Sequence, residues 1–232
     1  MQSADIENVL EECRRKGHAS PVVIKNCVAT AYFGTPLNLA ELSWKKYGEF
    51  NPTSFAAAKF RLRSPSTTAL IFASGMVVCT GAPSEESAYV AITKYFQMVS
   101  EIAPWARCLN VRIENIVGTA YIGFAVNLRR VFEHLQELGC MNTIYDPELF
   151  PGLRMSLKDL ESTELTRRLG EATPTTKVLL FAEGNVVICG AKKREDLKKS
   201  WKVIKDLFIA FKTDTPETFV KTKGGRKKPR VL

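Results

Sequence analysis

Two asparagines and four phenylalanines stand at matched places in two copies of one pattern, and they are the residues of this chain best suited to chemistry. Ile24-Lys25-Asn26-Cys27-Val28-Ala29-Thr30-Ala31-Tyr32-Phe33-Gly34 returns as Ile113-Glu114-Asn115-Ile116-Val117-Gly118-Thr119-Ala120-Tyr121-Ile122-Gly123. Leu70-Ile71-Phe72-Ala73-Ser74-Gly75-Met76-Val77-Val78-Cys79-Thr80-Gly81-Ala82 returns as Leu179-Leu180-Phe181-Ala182-Glu183-Gly184-Asn185-Val186-Val187-Ile188-Cys189-Gly190-Ala191. Asn51-Pro52 with Phe55 is answered by Asp146-Pro147 with Phe150. A carboxamide donates and accepts hydrogen bonds without charge, and a phenyl ring is a flat apolar wedge, so the chemistry these residues offer is recognition. Bond-making machinery is scarce. His18 and His134 are the only histidines, and the six cysteines lie far apart without a CxxC pair. A metal site, a cofactor or a histidine triad has almost nothing to build on, and the thiols are expected to be reduced.

The elements that must position these side chains follow from local pattern. Each copy begins with a Val- and Ile-rich run, Val22 to Phe33 and Leu109 to Ile122, as strands prefer. A helix follows each: Asn38 to Tyr47, then Leu128 to Leu138 with Leu128, Val131, Phe132 and Leu135 on one face. In the first copy three strands are expected at Phe55 to Arg63, Thr67 to Ala73 and Met76 to Thr80, parted by Ser64-Pro65-Ser66 and Ser74-Gly75. Ser84 then caps a long helix that stops before Pro104; its counterpart runs from about Arg194 to Phe211, its aromatics spaced for the core. A short amphipathic helix with Ile6, Val9, Leu10 and Cys13 precedes the first copy and could fray or dock. The division is therefore 1–20 as an N-terminal extension, 21–108 and 109–212 as the two repeats, and 213–232 as a basic tail. The offset between copies grows between Phe150 and Phe181, so an insertion is expected at about 155–176, as a short helix or without order.

Composition bounds the class. At 232 residues, 45% hydrophobic and 25% charged, the chain is ordinarily globular. It has no run long enough for a membrane span, and acidic residues stand where a signal peptide needs an apolar core. Net charge is +9, much of it in the tail with Lys221, Lys223, Arg226, Lys227, Lys228 and Arg230, which reads as a nuclear-import address, a nucleic-acid arm or a solvated tail. Gly184 through Lys192 faintly echoes a phosphate loop but lacks its Gly-Lys-Ser/Thr ending.

Side chains two apart in a strand share a face, so Leu70 accompanies Phe72, Asn26 accompanies Val28, and Val78 accompanies Thr80. The second copy gives Leu179 with Phe181, Asn115 with Val117, and Val187 with Cys189. Ile71, Val77, Cys79, Leu180, Val186 and Ile188 lie on the other face and can serve the helices, which leaves an apolar surface uncovered. The minor groove of duplex DNA suits such a surface. Its floor carries uncharged acceptors over A·T pairs, to which Asn donates, and large rings at each end can wedge between base steps.

These runs resemble the TATA-box-binding protein family from about Val22 to Phe211, nearly the whole folded chain. The resemblance implies an α+β fold, a pseudo-two-fold saddle of antiparallel sheet with helices on its convex back, and no enzymatic activity. It also implies intercalation by Phe55, Phe72, Phe150 and Phe181, dyad contacts by Asn26 and Asn115, and a groove floor of Val28, Leu70, Val78, Thr80, Val117, Leu179, Val187 and Cys189. Met76, Asn185, Pro83, Thr53 and Ser54 stand where the family usually has basic residues, and Cys189 replaces a groove threonine. Arg61, Arg63, Arg154, Lys192 and Arg194 remain for phosphates, and binding weaker than the family's is expected. The resemblance further implies a nuclear initiation factor on promoter DNA, with a TFIIB-like factor at Asp146, Glu148 and Leu149, a TFIIA-like factor along the first repeat, and subunits such as those of a small-nuclear-RNA-gene activating complex. The alternative is a protein-interaction scaffold with little DNA affinity of its own.

Overall fold

The computed structural model describes residues 3–160 and 174–214. After helix α1 (Ser3–Lys16), the first repeat folds as β1 (Val23–Tyr32), α2 (Leu39–Lys46), β2 (Ala57–Arg63), β3 (Ser66–Phe72), β4 (Met76–Ala82) and α3 (Glu85–Ser100). The second follows the same order as β5 (Leu109–Tyr121), β6 (Ala125–Val126), α4 (Leu128–Glu137), β7 (Gly152–Ser156), a 3-10 turn at Leu157–Leu160, β8 (Lys177–Phe181), β9 (Asn185–Ala191) and α5 (Arg194–Phe208), closed by β10 (Lys212–Thr213). Sequence dictates the starts of the equivalent helices. The side chains of Asn38 and Asn127 accept from the backbone N–H of Glu41 and Arg130, and Ser84 does the same for Ser87, satisfying donors that have no partner inside the helix.

Eight strands form one antiparallel sheet in the order β2-β3-β4-β1-β5-β9-β8-β7, so the two copies meet where β1 pairs with β5. This is the α+β fold expected. Alternation assigns the faces: Cys27, Ala29, Ala31, Ile71, Val77 and Cys79, with Ile116, Ala120, Leu180, Val186 and Ile188, are buried. They face a single core that includes Ile92, Tyr95 and Val99 of α3 and Trp201, Ile204 and Phe208 of α5. The aromatics of α5 are core, as their helical spacing implies. Tyr95 also carries a polar handle, its hydroxyl donating to the Thr67 carbonyl at 2.9 Å, and burial pushes its ionisation upward. All six cysteines are free, and burial lifts the thiols of Cys27 and Cys79 to about 11.

Two differences from the sequence expectation have physical causes. Strand β2 begins at Ala57 because Asn51 organises a turn: its carboxamide accepts from Thr53 N and its carbonyl from Phe55 N, which lifts Phe55 out of the ladder. The stretch 155–176 is not all insertion. Met155 lies in β7, and Leu157 and Leu160 are fully buried in the core, while Thr176 is buried with its hydroxyl 2.8 Å from that of Ser200. The remainder of that stretch, and the tail from 215 onward, lie outside the described residues. Among the described residues, no helix is long and apolar enough to cross a membrane.

Candidate nucleic-acid interface

The sheet face away from α3 and α5 is built around a local dyad. On the central strands Asn26 pairs with Val117 and Val28 with Asn115, so the four residues exchange places across the β1–β5 seam. Each asparagine is oriented by its own repeat. Gly81 donates its backbone N–H to Asn26 Oδ1 at 2.8 Å, and Gly190 does the same for Asn115 at 2.8 Å. Both glycines have positive φ, 94° and 91°, at bulges where β4 and β9 place two residues opposite one. A side chain is strained there, and the turned N–H is what reaches the carboxamide. With its oxygen engaged, each asparagine keeps its NH2 for an outside acceptor.

The floor extends outward symmetrically. Leu70 lies opposite Val78, and Thr80 opposite Thr68, on one side; Leu179 lies opposite Val187, and Cys189 opposite Lys177, on the other. All of these except Lys177, which is exposed, are half-buried, in contrast to the fully buried residues that alternate with them on β3, β4, β8 and β9. Two phenylalanine pairs close the ends: Phe55 with Phe72 at 6.3 Å between centroids and Phe150 with Phe181 at 5.8 Å, edge to face at about 60° in both. Phe55 is 51% exposed, and the other three are half-buried. Phe150 is placed as Phe55 is, with Asp146 Oδ1 accepting from Glu148 N and the Asp146 carbonyl accepting from Phe150 N. Edge-to-face rings supply their own support, so they stand at the surface in one orientation.

The cations divide differently from the sequence expectation. Arg154, opposite Leu179, lies 5.4 Å from the Phe150 ring centroid, and Arg63 is exposed beside Ser66. Arg61 shares Glu49 with Lys59, Lys192 lies 3.6 Å from Glu114, and Arg194 grips Glu85 at 2.7 Å across the starts of α3 and α5. Arg194 thus belongs to the helix side of the sheet. Arg61 first and Lys59 second hold the Glu49 carboxyl below the usual carboxylate range. Sequence reasoning passed over Lys59 and Lys177, which the strand register brings to the open face opposite Leu70 and Cys189; the period-two rule that found Leu70 would have found both. Tyr32 and Tyr121, half-buried and opposite Met76 and Asn185, were also passed over.

Of the residues expected to meet a protein partner, Leu149 is 82% exposed and Glu148 is exposed, whereas the Asp146 carboxylate is engaged by its own turn. Leu153, at the end of that segment, is fully buried.

The family model described as transcription factor TFIID, or TATA-binding protein, matches residues 21–102 and again 110–209. A TATA-box-binding protein of Acanthamoeba castellanii is 35% identical over 202 residues, covering 85% of this chain and 71% of that protein. One from Dictyostelium discoideum is 34% identical, covering 84% and 88%. The TATA box-binding protein-like 2 of Mus musculus is 36% identical over 82% of this chain, which spans about half (49%) of that relative's length. Among solved structures, Methanococcus jannaschii TBP superposes with a TM-score of 0.65 at 32% identity, over 80% of this chain and 97% of its own.

Proposed function

Since this chain belongs to the TATA-binding protein family, a family of transcription factors and not of enzymes, we propose that its open sheet face enters the minor groove of A·T-rich promoter DNA and bends it. Residues 21–108 and 109–212 act as the two halves of this platform, 1–20 as an extension and 213–232 as a basic arm. The observation that carries the reading is the pair of edge-to-face phenylalanine couples at the two ends of one apolar, dyad-symmetric floor. Rings left partly exposed to water and held in one orientation are unfavourable there and become favourable when they slide between base steps. Asn26 and Asn115 donate at the dyad, Val28, Val78, Val117, Val187, Leu70, Leu179, Thr80 and Cys189 cover the floor, and Arg63, Arg154 and Lys177 face phosphates, with Lys59 and Arg61 held in reserve by Glu49. Asp146, Glu148 and Leu149 take a TFIIB-like factor, the first repeat takes a TFIIA-like factor, and the bent complex nucleates polymerase assembly in the nucleus.

The test is a bending assay, by energy transfer between the ends of a short A·T-rich duplex. Phe72→Ala and Phe181→Ala are expected to abolish bending while lowering stability by about 1 to 2 kcal/mol, less than the roughly 3 to 5 kcal/mol of a deleted core ring. Bending that survives both substitutions would sink the reading.

A further inference from the structure

Helix α1 lies against the open face, on the second repeat. Arg14 donates from Nε and Nη2 to Asn185 Oδ1 at 3.1 and 2.7 Å, and Asn185 alternates in β9 with buried Val186, on the side of Val187 and Cys189. Leu10 is only 6% exposed, yet it stands outside the contiguous core. With Glu11 and Arg14 it shares a cavity with Thr119, Asn185 and Val187, and Val187 is floor. The chain after α1 is anchored: Ser20 donates its N–H to the Tyr121 carbonyl at 2.8 Å, and its hydroxyl accepts from Tyr121 N. Between helix and anchor lies a linker of three residues: Gly17 at φ 63° and His18, whose N–H groups close α1 on the carbonyls of Arg14 and Cys13, then Ala19.

The fit beneath α1 is imperfect. Thr119 Oγ1 is buried without a hydrogen-bond partner among the described residues, whereas Thr30, its counterpart in the first repeat, reaches Glu114 Oε1 at 3.4 Å. The first-repeat counterpart of the cavity is lined by Thr30, Tyr32, Met76, Arg112 and Glu114, and no helix lines it. A duplex on the floor of the second repeat needs the surface α1 holds, and an orphaned buried hydroxyl weakens the helix's grip.

We propose that α1 is a displaceable strap that occupies the second-repeat half of the DNA-binding face in the free protein and swings away at Gly17 when duplex binds. The inference rests on the minor-groove reading above. Apparent affinity is then the intrinsic affinity multiplied by the fraction of molecules whose strap is off, and the first repeat meets DNA before the second does.

The experiment uses the full chain with Leu10→Asn, a substitution that changes no charge, and a fluorescent A·T-rich duplex. Loosening the strap should tighten binding and speed association by about 5- to 10-fold, with the salt slope unchanged because no phosphate contact is added. In the unliganded wild type, methyl nuclear Overhauser contacts between Leu10 and Thr119 or Val187 should be present, and duplex should erase them. Equal affinity of both proteins, or Leu10 contacts that persist on the duplex, would overturn the strap alone. Weaker binding by Leu10→Asn would overturn it too, making α1 a DNA contact. Duplex binding by neither protein would overturn the minor-groove reading on which the strap depends. Should Leu10→Asn unfold the chain, the wild-type methyl contacts with and without duplex decide the matter.

Discussion

At the scale of single residues, the interface depends on groups whose second function is hidden in the fold. Asn115 accepts from Gly190 N with one end of its carboxamide, and under the proposed function the other end donates to the duplex. Asn115→Asp preserves the acceptor and replaces the donor with a negative charge. Stability should change by less than about 1 kcal/mol, while duplex affinity should fall at least roughly tenfold; a filter-binding titration beside a thermal melt separates the two. Glu49 poses the opposite case, a carboxylate paired with both Lys59 and Arg61, which under the proposed function competes with phosphates for them. Glu49→Gln is expected to tighten binding and steepen the slope of log K against log salt by up to about 0.9 per released cation. Because its carboxyl sits below the ordinary range, Glu49 stays ionised as pH falls from 7 to 5, so acidification over that window should not reproduce the variant. An unaltered slope in Glu49→Gln would show that β2 does not approach the backbone.

At the scale of elements, the repeat made the strands, helices and faces legible, because two noisy patterns in register constrain each other more than either does alone. Phe72, Val78 and Asn26, with their partners Phe181, Val187 and Asn115, were found by counting in twos, and the ladder places them on one face. What counting could not give was the use of charges already paired. Arg194 and Arg61 read as phosphate contacts from their place in the chain, and only the fold brings Glu85 and Glu49 to them from distant segments. The repeat offset located extra residues within 155–176 but could not say which of that stretch belong to the core, since an unmatched segment offers no copy to compare. Leu157 and Leu160, fully buried, close the core beneath β7. Leu157→Ala and Leu160→Ala should each lower stability by about 2 to 5 kcal/mol in a denaturant titration. A deletion of 157–170 that removes both should therefore prevent folding; a melt like that of the parent would remove them from the core.

At the scale of the molecule, the two halves share a backbone plan but differ in what lies on them, since α1 covers part of one and leaves the other open. Met76→Lys adds a cation at the uncovered end and should steepen the salt slope by about 0.9 without changing the stability of the free protein. The matching change, Asn185→Lys, removes the acceptor of Arg14, so its effect on binding combines charge with a loosened helix. Additivity between those two lysines would mean that α1 does not distinguish the halves. The β1–β5 seam carries one more consequence. Cut between α3 and β5, each half would bare a long central strand edge, interrupted by register shifts, that its own sequence cannot cover. The nearest available mate for such an edge is the same edge on a second copy, turned by the local dyad. A single repeat expressed alone should thus assemble with itself back to back along that strand, a symmetric pair whose covalent joining would yield the arrangement this chain now carries in one piece.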